Sequence, residues 1–298
     1  MPLLSDLVIR TRQMMQSFSQ EQQQWAYLTS PIGTTDVTLS VNDSTQISRG
    51  LIEIDGNELA VVKSVNRPTN TVTLDPFARG WAGTTAASHL TNARIENNPI
   101  WPAIRVKEAI NDVIRSLYPD LFAVATTKIT KISVQQGYSL PSDCQEIISV
   151  RFTTIGPTLI NPPMIRYRFD GQADTTVFST GKALWMGVDV TPGREIFVVY
   201  RKEPTELVND TDDFAAVTGL PATAQDVVIY GACMKLAPAL ESPRLILDTV
   251  ESSERAAYVQ PGSAMRVSAA YGQLYMQRLM QERRKLNDRY QQPIHFTS

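Results

Sequence analysis

Cysteine and histidine are almost absent from this 298-residue chain, each occurring twice. Cys144 and Cys233 lie far apart with no CxxC or Cys/His spacing around them, which excludes a disulfide scaffold and the usual zinc arrangements; both read as buried thiols. His89 and His295 leave little material for a Ser/His/Asp or Cys/His centre, and the chain lacks GxSxG, GxxxxGK[ST], HExxH and a GxGxxG that follows a strand. Long apolar runs are missing too. No stretch reaches the roughly 18 residues of a membrane span, and the N-terminal MPLLSDLVIRTRQMM alternates apolar and polar residues without a signal-peptide core, so neither a membrane anchor nor secretion is expected. Finally, there is no surplus of one charge. Twenty-eight Lys and Arg against 30 Asp and Glu give a formal charge of -2, without the broad positive field by which dedicated duplex binders neutralise phosphates.

What is present is ordinary globular material. Hydrophobic residues make up 43%, and at about 150 residues per domain the length suggests two domains. Leu3, Leu4, Leu7, Val8, Met14, Met15 and Phe18 share one helical face and predict a helix over 2–24. The period then changes to two: Val37, Leu39 and Val41 alternate with polar residues, and Leu51–Ile54 meets Leu59–Val62 across Asp55-Gly56-Asn57, a hairpin signal. With Thr71–Leu74, residues 26–96 read as a small β-barrel or β-sandwich module. The helical period returns over 101–118 through Ile110, Val113, Ile114 and Leu117. Strand-like segments Ile129–Val134, Glu146–Phe152, Ile165–Phe169 and Glu195–Tyr200 predict a second β region over 126–219.

Beyond the acidic loop Val208–Asp213, which reads as solvated, Leu220-Pro221 leads into a helix over 223–241; a shorter one is expected over 244–258 and a long one over 263–290. The last carries Arg278, Arg283, Arg284, Lys285 and Arg289, a basic end that either complements the helix dipole or faces an acidic partner. The expected class is α+β. Residues 1–25, 97–125 and 220–290 should form one helical bundle with two inserted β modules, burying Leu7, Met14, Ile110, Val113, Leu117, Val227, Met234 and Leu274. Residues 291–298 should be an extended tail, because Pro293 stops the helix and Ile294 and Phe296 alternate around His295.

The most specific local signal is Phe77-Ala-Arg79-Gly80-Trp81-Ala-Gly83-Thr84-Thr85-Ala-Ala-Ser-His89. Gly80 and Gly83 permit a tight reversal, Arg79 and His89 can bond loop carbonyls, and Trp81 can cap the module's core. This stretch resembles a loop that recurs in small β modules of tailed-bacteriophage virion proteins. With the helix order and the Leu220-Pro221 and Gly231-Ala232 signals, the chain resembles a head-to-tail adaptor, also called a connector or head completion protein, although minimal adaptors are mostly helical and this chain has two sizeable β regions.

The resemblance implies a structural virion protein of the head–tail neck, assembled in the host cytoplasm, with no enzymatic activity and no cofactor or metal. It further implies a dodecameric ring beneath the portal protein, a tail or tail-terminator (nozzle) protein as the other neighbour, and double-stranded DNA passing through non-specifically. The tail residues Pro293, Ile294, His295 and Phe296 would dock on the portal. An alternative is another tail or baseplate component, or a receptor-binding one. A wall-degrading hydrolase would need a carboxylate pair, and Glu53 with Glu58 on the hairpin is the candidate, although such cross-strand carboxylates are ordinarily solvated.

Overall fold

A computed structural model describes residues 2–15, 24–153, 166–186, 191–240 and 263–290. The chain divides into two compact units, one of residues 5–110 with 231–270, the other of residues 1–4 with 111–230 and 271–298. Among the described residues there are five α-helices and twelve strands, with 34% of those residues helical and 30% in strands. The expected helical bundle is therefore wrong: the architecture is mixed, and a curled antiparallel sheet is its largest element.

The first unit is built on that sheet, whose strands are β1 (Trp25–Tyr27), β2 (Thr38–Ser40), β3 (Gly50–Ile54), β4 (Glu58–Asn66), β5 (Thr71–Arg79) and β6 (Arg94–Asn97), in the order β1-β6-β3-β4-β5-β2. The β3–β4 turn places Asp55 and Gly56 at φ of 53° and 70°, the left-handed conformation that Asp-Gly supplies cheaply. Curling brings the sheet's ends together, where Leu28 bridges Val41 and the Thr29 amide donates to the Ser40 carbonyl at 2.9 Å. Leu39, Ile52, Ile54, Ala60, Val72, Leu74 and Ile95 fill the interior at 0% exposure. Alternation along each strand sends the neighbouring residues outward.

That outward side ties down two helices. Glu53, one step from inward-facing Ile54, accepts a hydrogen bond from the Arg12 guanidinium of α1 (Leu4–Met15) at 2.6 Å. The same carboxylate accepts the Ala103 amide, also at 2.6 Å, which opens α2 (Ala103–Ser116). Arg12 of α1 and the first residue of α2 are thereby tied to β3. Met14 is 37% exposed instead of buried. Helix α4 (Gln225–Leu236) adds its C-terminal end to this unit, where the Cys233 thiol reaches the Thr11 carbonyl at 3.9 Å.

The second unit holds two three-stranded antiparallel sheets. One is β7 (Ala123–Thr130), β12 (Glu195–Lys202) and β9 (Glu146–Phe152), with β12 central; the other is β8 (Gly137–Ser139), β11 (Ala183–Met186) and β10 (Tyr167–Asp170), with β11 central. They share a core of Tyr138, Leu140, Cys144, Val150, Leu184, Ile196 and Val198. The expected strand over Ile129–Val134 ends at Thr130, and Val134 is 89% exposed. After β12, α3 (Phe214–Thr218) ends on Gly219 at φ 72°, where a Cβ would lie 2.7 Å from that of Ala123. Only glycine fits there.

Helix α5 (Ser263–Arg289) runs its C-terminal part through this unit. Leu279, Glu282 and Leu286 are buried, and Arg278 pairs with Asp226 of α4 at 3.2 Å. Leu274, expected inside, is 42% exposed because it lies off the flank of α5 that buries Leu279, Glu282 and Leu286. The expected helix over 244–258 and the tail 291–298 lie outside the described residues, as does the end of the helix expected over 2–24.

Candidate functional site

The loop after β5 is organised by a residue that begins β4. Glu58 stands directly opposite Ile54 in the hairpin register and therefore points to the interior, with its side chain at 0% exposure. Burying a carboxylate there is tolerable only if its charge and lone pairs are met. They are met five times. Arg79 donates through Nε at 2.5 Å and Nη2 at 3.0 Å, the Gly80 and Ala87 amides donate at 3.2 and 2.9 Å, and His89 Nε2 lies at 2.9 Å. Burial pushes the Glu58 carboxyl up, but the hydrogen bonds from His89, Arg79 and Ala87 outweigh it and hold the group at about 2.

Arg79 is equally saturated. Nη1 donates to the Gly33 and Asp36 carbonyls at 3.1 and 2.5 Å and Nη2 to the Ala87 carbonyl at 2.8 Å, so together with the Glu58 contacts all the guanidinium's donors are engaged. Gly80 turns the chain at φ 66°, where a Cβ would lie 2.8 Å from the Ala86 nitrogen. Thr84 closes the turn by donating to the Trp81 carbonyl at 2.8 Å and accepting the Leu59 amide at 3.1 Å. Gly83 takes φ 88°, and His89 exchanges both backbone hydrogen bonds with Ile32.

The structure thus brings Arg79, Gly80, Gly83, Thr84 and His89 together around a carboxylate that sequence reading treated as solvated. Trp81 departs from expectation: it is 51% exposed and does not cap the core, and nearby Phe77 is 94% exposed. The hydrolase pair also dissolves. Glu53 and Glu58 point to opposite faces of the sheet, each consumed by its own arginine. Chemically, this is a rigid loop that presents aromatic side chains, with its ionisable groups spent on holding it.

The basic helix end is mostly neutralised within the chain. Arg278 faces Asp226 and Glu282, Arg283 pairs with Asp120 at 3.0 Å, Lys285 with Glu282 at 2.7 Å, and the Arg289 guanidinium stacks 5.4 Å from the Tyr290 ring. Arg284 is exposed with no ion pair among the described residues. Pro293, Ile294, His295 and Phe296 lie outside the described residues. In the acidic loop, Asp212 accepts the Val208 and Asn209 amides, both at 2.8 Å, and Asp213 caps α3 through the Ala216 amide at 2.9 Å.

Comparison with protein families places this architecture. The model of the SU10 adaptor protein family matches residues 84–296, well over half of the chain, and the chain belongs to that family. It is therefore a structural, virion-associated adaptor-type protein of bacteriophages. No curated protein matches the chain. The match begins inside the Arg79–His89 loop, so most of the six-stranded sheet lies upstream of it.

Proposed function

We propose that copies of this chain form a ring between the portal and the tail, extending the channel through which double-stranded DNA leaves the head. The observation that carries the reading is membership of the adaptor family across 84–296. The near-neutral charge supports it, because a strongly basic lumen would retain DNA that has to slide. The role is non-enzymatic and needs no cofactor. Glu58 and Glu53 are committed to buried ion pairs, and burial pushes both cysteine thiols up to about 12, far from a reactive thiolate.

Residues 291–298 are the proposed portal-docking element, with Ile294 and Phe296 as its apolar residues. Capture of the purified chain on immobilised portal tests this part. Removing 291–298 should abolish capture while leaving the melting temperature nearly unchanged; undiminished capture would reject the tail as the docking element. Exposed Phe77 near the end of β5 and Trp81 on the loop that follows suit a contact with a neighbouring virion protein.

A further inference from the structure

One flank of α5 is occupied by the core of its own unit, yet another flank carries an ordered strip facing solvent. Met276 and Met280, 47% and 53% exposed, are followed on the same i, i+4 row by exposed Arg284. Residues four apart stack along one helix flank, so the three make a continuous ridge, apolar at one end and basic at the other. A single exposed methionine is unremarkable, but two on successive turns beside a guanidinium with no ion pair among the described residues make a surface suited to a partner of apolar and acidic character.

A surface of that character lies on the same unit. Val208 is 78% exposed and opens the segment Asn209-Asp210-Thr211-Asp212-Asp213, which holds three carboxylates. It is already shaped, since Asp212 gathers two backbone amides of the loop and Asp213 caps α3. The ridge and the loop are held on different flanks of α2. Asn111 binds the Leu207 amide and carbonyl at 3.0 and 2.8 Å, whereas the Tyr275 hydroxyl of α5 lies beside Ser116. Five residues turn a helix through about 140°, so α2 meets the loop and α5 on different flanks.

We infer that the Met276–Met280–Arg284 ridge of one copy docks on the Val208–Asp213 loop of the next copy. Two different, complementary surfaces make a head-to-tail contact, which propagates around a closed ring instead of stopping at a dimer. The inference deepens the ring reading proposed above and rests on it for closure. The methionines would cover Val208, and Arg284 would meet the loop's carboxylates, giving the contact both apolar area and a salt-sensitive part.

Sedimentation velocity of the full chain tests it. The wild-type protein should self-associate, and Arg284→Glu or Thr211→Arg, each placing like charges against one another, should weaken association by about tenfold or more. Combining the two pairs the introduced carboxylate with the introduced guanidinium and should restore association, a result that misfolding of either variant would not give. Unaltered association in the single variants, no restoration in the pair, or a wild-type chain monomeric at ~100 µM would overturn the inference. Portal capture is measured in parallel. Loss of capture by Arg284→Glu with self-association intact would assign the ridge to the portal and overturn the inference. A wild-type chain that self-associates as expected but is never captured would reject the adaptor reading and leave this interface standing.

Discussion

Replacing Glu58 by Gln changes one atom's chemistry and removes the charge on which the Arg79–His89 loop is built. The side chain keeps its size, so no cavity opens, and the cost is electrostatic. Arg79 stays buried, its side chain 5% exposed, and loses its anion. Breaking a buried pair by removing one partner costs about 3–5 kcal/mol. The carboxyl's own titration leads to a similar figure. Held at about 2 in the fold against 4.5 in the open chain, Glu58 contributes roughly 3 kcal/mol when ionised.

The pH dependence follows from the sign of that shift. A depressed carboxyl stabilises the fold fully above its unfolded value, and the contribution is lost as pH falls from about 4.5 toward about 2. With two units in the chain, a global melt mixes transitions, so the assay is hydrogen exchange at the Gly80 and Ala87 amides, which donate to Glu58. Glu58→Gln should lower protection there by about two orders of magnitude or more and flatten its dependence on pH between 2 and 4.5. Glu108→Gln, which removes a largely exposed ion pair with Arg105, should change nothing measurable. If Glu58→Gln leaves Ala87 protection within a factor of three of wild type, the loop is not organised by this carboxylate.

Three further outcomes are expected. Glu53→Gln should destabilise the first unit by about 2 kcal/mol, less than Glu58→Gln because Glu96 remains 3.8 Å from Arg12, with exchange at the Ala103 amide as the readout. Gly219→Ala forces a left-handed alanine against Ala123 and should cost about 2 kcal/mol in urea unfolding of the second unit; a neutral result would contradict the close approach. Cys144 and Cys233, buried with thiols pushed up to about 12, should be silent to a thiol-specific dye in native protein and both react after denaturation.

Much of this fold was legible locally. The Asp55-Gly56 hairpin and the stripe Ile110, Val113, Ile114 and Leu117 of α2 follow from turn chemistry and from the 3.6-residue period, and those four residues are buried. What covers a buried stripe is not local. Periodicity shows that α1 and α2 bury a face, but not that Glu53 ties both to β3, since it lies 41 positions from Arg12 and 50 from Ala103. Glu58 was misread for the same reason. A glutamate beside a hairpin turn resembles a solvated residue until the chain returns 21 and 31 positions later with Arg79 and His89. Trp81 reads in sequence as able to cap the module's core, whereas its place beside the left-handed Gly80 goes with 51% exposure. Short strands such as β8 and β11 carry too few residues for a period to emerge.

The adaptor assignment is tested most directly by electron microscopy of the full-length chain mixed with its portal. The account predicts an additional ring of density, coaxial with the portal and open along the DNA channel, on the face that receives the tail. Portal particles indistinguishable from those imaged without the chain, at a concentration where the chain is folded and in excess, would contradict it.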